Sequence, residues 1–136
     1  MEQVVLEMDG DKVVKEHRSP APTWQWGGIR GGCVVPFKGH LLRFFHSRTG
    51  DTKRPLGFRY YIGASLLEAE PPFKTVAVSS FPILAGNEKY TQCPTWKPNC
   101  CLPYGVISDG DTFKVSVGLN DCECAVLDLS VDNLNL

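Results

Sequence analysis

Two apolar, β-branched runs open the chain, Val4-Val5-Leu6-Glu7-Met8 and Lys12-Val13-Val14, with Asp9-Gly10-Asp11 between them. Asp-Gly in that position supplies the positive backbone angles of a tight turn, so the pattern predicts a β-hairpin over residues 1–17. Residues 18–32 hold two prolines, four glycines, Trp24 and Trp26 without a period of two or 3.6, which predicts a loop carrying aromatics. Strand patterns return in Cys33-Val34-Val35-Pro36-Phe37, in Leu41-Leu42-Arg43-Phe44-Phe45-His46-Ser47 after a Lys38-Gly39-His40 turn, and in Arg59-Tyr60-Tyr61-Ile62-Gly63-Ala64-Ser65-Leu66-Leu67. Thr75-Val76-Ala77-Val78-Ser79 predicts a fourth strand; Pro71-Pro72-Phe73 bars a helix before it, and Pro82 closes the strand after it.

From residue 102 the same order recurs in shorter form. Pro103-Tyr104-Gly105-Val106-Ile107 leads into an Asp109-Gly110-Asp111 turn, then Thr112-Phe113-Lys114-Val115-Ser116-Val117-Gly118, then Cys124-Ala125-Val126-Leu127-Asp128-Leu129. Pro-aromatic, turn, long strand, polar connection and outward strand thus occur twice, at a spacing that suits propeller blades. Gly/Pro-rich antiparallel sandwiches give similar patterns. The reading is therefore one all-β domain over residues 1–136, with antiparallel sheets forming about two blade-like units, 24–85 and 102–130, after the opening hairpin.

The chain's 136 residues suit one globular domain, and a formal charge of −1 provides no field of one sign to attract nucleic acid or an anionic membrane. No apolar run approaches the roughly 18 residues of a spanning helix, and the acidic start lacks the basic and long apolar regions of a signal peptide. A cytoplasmic location, with neither membrane nor nucleic acid as partner, is the expectation. The six cysteines, Cys33, Cys93, Cys100, Cys101, Cys122 and Cys124, include one adjacent pair and one pair with a single intervening residue. Zinc sites use wider pairs, so buried reduced thiols are expected and no metal.

The ordered motifs Trp26-Gly27-Gly28-Ile29-Arg30-Gly31-Gly32, Phe44-Phe45-His46-Ser47, Tyr61-Ile62-Gly63-Ala64-Ser65-Leu66-Leu67-Glu68, Pro71-Pro72-Phe73, Pro82-Ile83-Leu84 and Gly118-Leu119-Asn120-Asp121 resemble the later blades of glycoside hydrolase family 130. That is the β-mannoside phosphorylase family. The resemblance covers about residues 24–130 and implies part of a five-bladed β-propeller that acts on β-mannosides, by phosphorolysis or hydrolysis, at one end of a central channel. It places the family's general-acid aspartate in earlier blades, outside the matched region. No catalytic residue is therefore assigned, and the isolated chain is expected to be inactive. A blade pair cannot close a ring, so a homo-oligomer covering the open strand edges is expected.

The resemblance also suggests roles. His46, in its aromatic-aromatic-His motif, and Arg30 would bind phosphate, which would be a co-substrate rather than a cofactor. Many relatives have a lysine near Arg30 and Thr-Pro-Pro after the glycines, where this chain runs Gly31-Gly32-Cys33-Val34-Val35. Asp121 would accept hydrogen bonds from sugar hydroxyls, and Trp24, Trp26 and Tyr61 would stack on sugar faces. Each has a plainer alternative. His46 could be a satisfied strand-end histidine, Arg30 a turn residue paired with a carboxylate, Asp121 a hairpin turn, and the aromatics core or cross-strand partners. Arg43, Arg48, Lys53, Arg54 and Arg59 read as a solvated basic stretch, and Asp9, Asp11, Asp51, Asp109, Asp111, Asp128 and Asp132 fall mostly in turns. A non-catalytic sugar-binding or structural blade pair is the second functional reading.

Overall fold

The computed structural model describes residues 1–50, 57–92 and 97–136. Asp51, Lys53, Arg54 and Cys93 lie outside the described residues. The strands are β1 (Glu2–Asp9), β2 (Lys12–Pro20), β3 (Arg30–Phe37), β4 (His40–Thr49), β5 (Arg59–Glu68), β6 (Thr75–Val78), β7 (Leu84–Ala85), β8 (Cys101–Asp109), β9 (Thr112–Leu119) and β10 (Glu123–Ser130). Short 3₁₀ turns occupy Glu88–Tyr90 and Val131–Leu134. The fold is all-β and every described pairing is antiparallel: a β1–β2 hairpin, a sheet ordered β3-β4-β5-β6 with β7 also on β5, and a sheet ordered β10-β9-β8.

The turns are where the polar breaks predict them. Lys38 and Gly39 both have positive φ, which is what a two-residue type I′ connection requires, and Asn120 and Asp121 share that sign in the three-residue β9–β10 connection, closed by the Cys122 amide on the Leu119 carbonyl. Two boundaries differ from expectation. The opening hairpin runs on to Pro20, with a register shift between Glu7 and Met8. The next strand starts at Arg30 rather than Cys33, because a bulge between Arg30 and Gly32 absorbs Gly31 and lets pairing with β4 continue. Gly32 sits so close to β4 that a Cβ there would run into the Phe44 carbonyl oxygen.

Alternation along β4 and β5 sends Leu42, Phe44, Ile62 and Ala64 to one face, where they meet Cys101, Phe113, Val115 and Val117 of the second sheet and Leu134 of the last turn. Phe113 is the centre of this core, edge-on to Phe37 at 5.3 Å and to Phe44 at 5.8 Å between ring centroids. On the opposite face of the first sheet Phe45 is fully buried beneath Trp24, whose ring lies edge-on at 4.9 Å. Gln3 fastens the hairpin to that face. Its side-chain oxygen accepts from Arg43 Nη1 at 2.9 Å and Thr75 Oγ1 at 3.3 Å, while its amide donates to the Phe73 carbonyl at 3.0 Å. On the outer face of the second sheet Tyr104, Ile107 and Val126 are exposed.

Candidate functional site

Because β4 alternates, its functional side chains divide between two faces. His46 follows Leu42 and Phe44 onto the core side, directly opposite Arg30 in β3 and Ile62 in β5. Arg30 is thus a strand residue, not the turn residue expected. The His46 ring stacks on Tyr60 at 6.3 Å, and its Nδ1 lies 3.0 Å from the Gly31 carbonyl oxygen. A carbonyl only accepts, so Nδ1 carries the proton in the neutral ring and the Nε2 lone pair is left for another partner. Half-burial holds the imidazole below its ordinary pKa, and the Arg30 and Arg48 cations push it further down against the opposing Gly31 bond. The Arg48 guanidinium lies 4.4 Å from the centre of the Phe58 ring. Neither Arg30 nor Arg48 is paired with a carboxylate among the described residues.

Asp121 comes from the other sheet. It occupies the β9–β10 turn, and its carboxylate pairs with Lys97 Nζ at 2.9 Å, which raises the lysine's pKa. The Tyr60 amide, on the residue against which His46 stacks, donates to the Asn99 carbonyl at 3.0 Å, and the Asn120 amide donates to the adjacent Cys100 carbonyl at 2.8 Å, so the two halves meet at one end of the paired sheets. What holds Asp121 is its neighbour Asn120, which is completely buried. Asn120 Oδ1 accepts from the Cys100 amide at 3.1 Å, and Nδ2 donates to the Asn87 carbonyl and to Thr91 Oγ1, each at 3.0 Å. The turn is thereby tied to the segment joining the two sheets.

Trp24, Trp26 and Tyr61 lie on the opposite face from His46 and Arg30. Trp24 Nε1 donates to the Ser79 carbonyl at 2.6 Å while its ring packs on Phe45. Trp26 lies against Tyr61 with centroids 5.3 Å apart, its carbonyl accepts from Ser47 Oγ at 2.7 Å, and its buried Nε1 has no hydrogen-bond partner among the described residues. Tyr61 is 9% exposed. These three rings cover the sheet. The structure therefore brings Arg30 and His46 together and Asp121 to the same end, and separates the aromatic trio from them.

Three contributors escaped sequence reasoning. Arg48, assigned to a solvated stretch, is a β4 residue close enough to His46 to lower its pKa. Asn120 reads as turn chemistry, and nothing in its neighbours signals burial. Tyr104, assigned only to a strand, is the exposed aromatic near Asp121; the Pro103–Gly105 register shift that turns it outward has no clear sequence signature.

The cysteines need a correction. Cys100 and Cys101 are buried free thiols, with pKa values pushed up to about 11 and about 12 by burial first, then by Asp121 and by Cys100 respectively. Cys33 is half-buried, free and also raised by burial. Cys122, however, is disulfide-bonded. Cys124 is free and exposed. Among the described residues no three His, Cys, Asp or Glu side chains gather as a metal site would require, and no helix is long and apolar enough to cross a membrane. No protein-family model matches the chain, and none of the curated proteins compared with it is a match.

Proposed function

We propose that this chain is a carbohydrate-active module of the mannoside phosphorylase type, a pair of propeller blades that supplies anion and sugar contacts but not the general acid. The observation that carries the reading is the grouping of Arg30, His46 and Arg48 at one end of the core-facing side, with both guanidinium groups lacking a carboxylate partner among the described residues. Two cations flanking a half-buried imidazole favour a doubly charged oxyanion, since each guanidinium can donate two parallel bonds to it. The free Nε2 of His46 accepts from a protonated phosphate oxygen, or donates once the bound anion has drawn a proton onto the ring. In the chemistry the resemblance implies, phosphate so held attacks the anomeric carbon while an aspartic acid from other blades protonates the leaving oxygen.

The antiparallel meander β3-β4-β5-β6 stacked face to face on β8-β9-β10 is compatible with neighbouring blades. The reading carries with it a β-mannoside-type ligand, a cytoplasmic setting and a homo-oligomer that covers the open edge of β10. In such a setting the Cys122 disulfide would belong to the transient class. In a second reading, a non-catalytic sugar-binding or structural blade pair, the structural form is favoured by Trp24, Trp26 and Tyr61, whose rings are committed to packing.

Calorimetric titration with inorganic phosphate and with short β-mannosides, after measurement of mass in solution, tests both. Heat on adding phosphate that disappears in Arg30→Ala and His46→Ala supports the first reading. Sugar binding without phosphate binding supports the second. Absence of heat with either ligand at concentrations of about 10 mM, where a site as weak as 1 mM would be filled, rejects the first reading and the sugar-binding form of the second, and leaves a structural blade pair.

A further inference from the structure

Sugar-binding sites pair an aromatic face, which covers the C–H side of a pyranose, with polar groups that read its hydroxyls. Tyr104 is the exposed ring that meets this description: it is 61% exposed and lines a surface cavity of about 360 Å³ together with Gly118, Asp121, Cys122, Glu123 and Cys124. The volume is at the small end for ligand sites, enough for one or two sugar units.

The ring's position is built, not incidental. Tyr104 stands at the β8 register shift and lies over Gly118 of β9, where a Cβ would come within 2.6 Å of Cε2 and 2.9 Å of the hydroxyl oxygen. The ring is thereby seated on the Gly118 backbone, and both residues line the cavity. The carboxylate of Asp121 is presented by the turn that buried Asn120 anchors, and Lys97 stands 2.9 Å from it as a donor. A carboxylate can accept from two neighbouring hydroxyls, and an ammonium donates to a third.

We propose that Tyr104 is the stacking platform of a pyranoside subsite on the outer face of the β8–β10 sheet, with Asp121 accepting from ring hydroxyls, Lys97 donating, and Glu123 at the rim of the cavity as a second negative charge. This rests on the carbohydrate reading above and adds to it a platform and a charge preference. Two carboxylates against one lysine repel an acidic sugar, so the subsite takes neutral pyranosides and rejects uronates and sugar phosphates. Anion and neutral sugar are thus handled by different groups, the arginines on β3 and β4 and the carboxylates of the β9–β10 turn.

The test is a residue-resolved NMR titration of the full chain with β-mannobiose, with a β-glucuronide and, separately, with inorganic phosphate. The expected result is shifts at Tyr104, Gly118 and Cys124 with the neutral sugar and none there with the glucuronide or phosphate. Tyr104→Ala should weaken binding about tenfold, the loss of one ring's stacking, and Tyr104→Phe should keep it. Gly118→Ala, which leaves the ring present but lifts it from the sheet, should weaken binding as well. Tyr104→Leu keeps a cover over Gly118 without a ring; if it binds as the native chain does, the platform is refuted. Sugar shifts confined to Arg30, His46 and Tyr60 overturn the subsite while leaving the carbohydrate reading intact. Silence with every ligand rejects both.

Discussion

Replacing Asn120 with alanine tests whether the β9–β10 turn is held as described. The substitution removes the partners of the Cys100 amide and the Asn87 carbonyl, and the donor to Thr91 Oγ1, at a position with no exposure. Each buried group left unsatisfied costs about 1–3 kcal/mol. Alanine must also hold φ at 54°, which costs about 1 kcal/mol where asparagine is tolerant. The Asn87 carbonyl keeps the Tyr90 amide at 3.1 Å, so the Cys100 amide and Thr91 Oγ1 are the two groups left unsatisfied, and with the backbone cost the sum is about 3–7 kcal/mol, a large share of the roughly 5–15 kcal/mol that stabilises an ordinary domain. Urea unfolding monitored by tryptophan fluorescence measures it through the midpoint and slope. Asn120→Gly separates the two parts, because glycine removes the hydrogen bonds yet accepts positive φ, and should lie above alanine by of order 1 kcal/mol. A loss below about 1 kcal/mol for alanine, or a glycine variant less stable than the alanine one, would refute the reasoning.

Gly63→Ala should cost about 1–3 kcal/mol through overpacking, since its Cβ would meet Phe45 at 2.7 Å and Ser79 and Trp24 at 2.9 Å; a thermal melt with an unchanged midpoint would contradict this. His46 titrates below 6.5 in the folded chain, so the unfolded chain binds a proton that the folded one refuses, and the stability tied to His46 is complete above pH 6.5 and lost as pH falls through the folded value. The stability advantage of the native chain over His46→Gln should therefore shrink from pH 7 towards about pH 5, and added phosphate should blunt the change. Peptide mapping after alkylation of the native chain near pH 8 should find Cys124 labelled and Cys100 and Cys101 spared, with Cys122 labelled only after reduction; equal labelling of Cys101 and Cys124 would mean that the core opens on the labelling timescale.

The strands were legible because their signals are local. Asp-Gly and Lys-Gly between apolar runs set the hairpins, and alternation in Leu42-Arg43-Phe44 chose the buried face of β4. The split of the candidate site was also within reach. The β4–β5 hairpin pairs Ser47 with Tyr61 and His46 with Ile62, and partners share a face, so Tyr61 and His46 cannot point the same way. Arg30 was misplaced because a bulge adds a residue without a pattern to announce it. Asn120 was unreadable for a different reason: Asn-Asp is ordinary turn chemistry, and its burial arises from Asn87, Thr91 and Cys100, which are far away in sequence. The bond at Cys122 depends on which sulfurs fold together, and spacing alone does not decide that.

The two-sided use of β4 makes the chain tolerant of one kind of genetic change and intolerant of another. Substitutions at His46 or Arg48 alter the core-facing end of the strand while Phe45 and Ser47 keep the tryptophan loop in place, so either face can drift under selection without the other. A single-codon insertion or deletion between Leu42 and His46 has no such freedom, for it would exchange the faces of every residue beyond it. With the strand shifted by one, Arg43 would take the place of Leu42 or Phe44 against Phe113, and a guanidinium would enter the most tightly packed part of the core. Length variation among descendants of this sequence should therefore collect in the connection between β4 and β5, outside the strand itself.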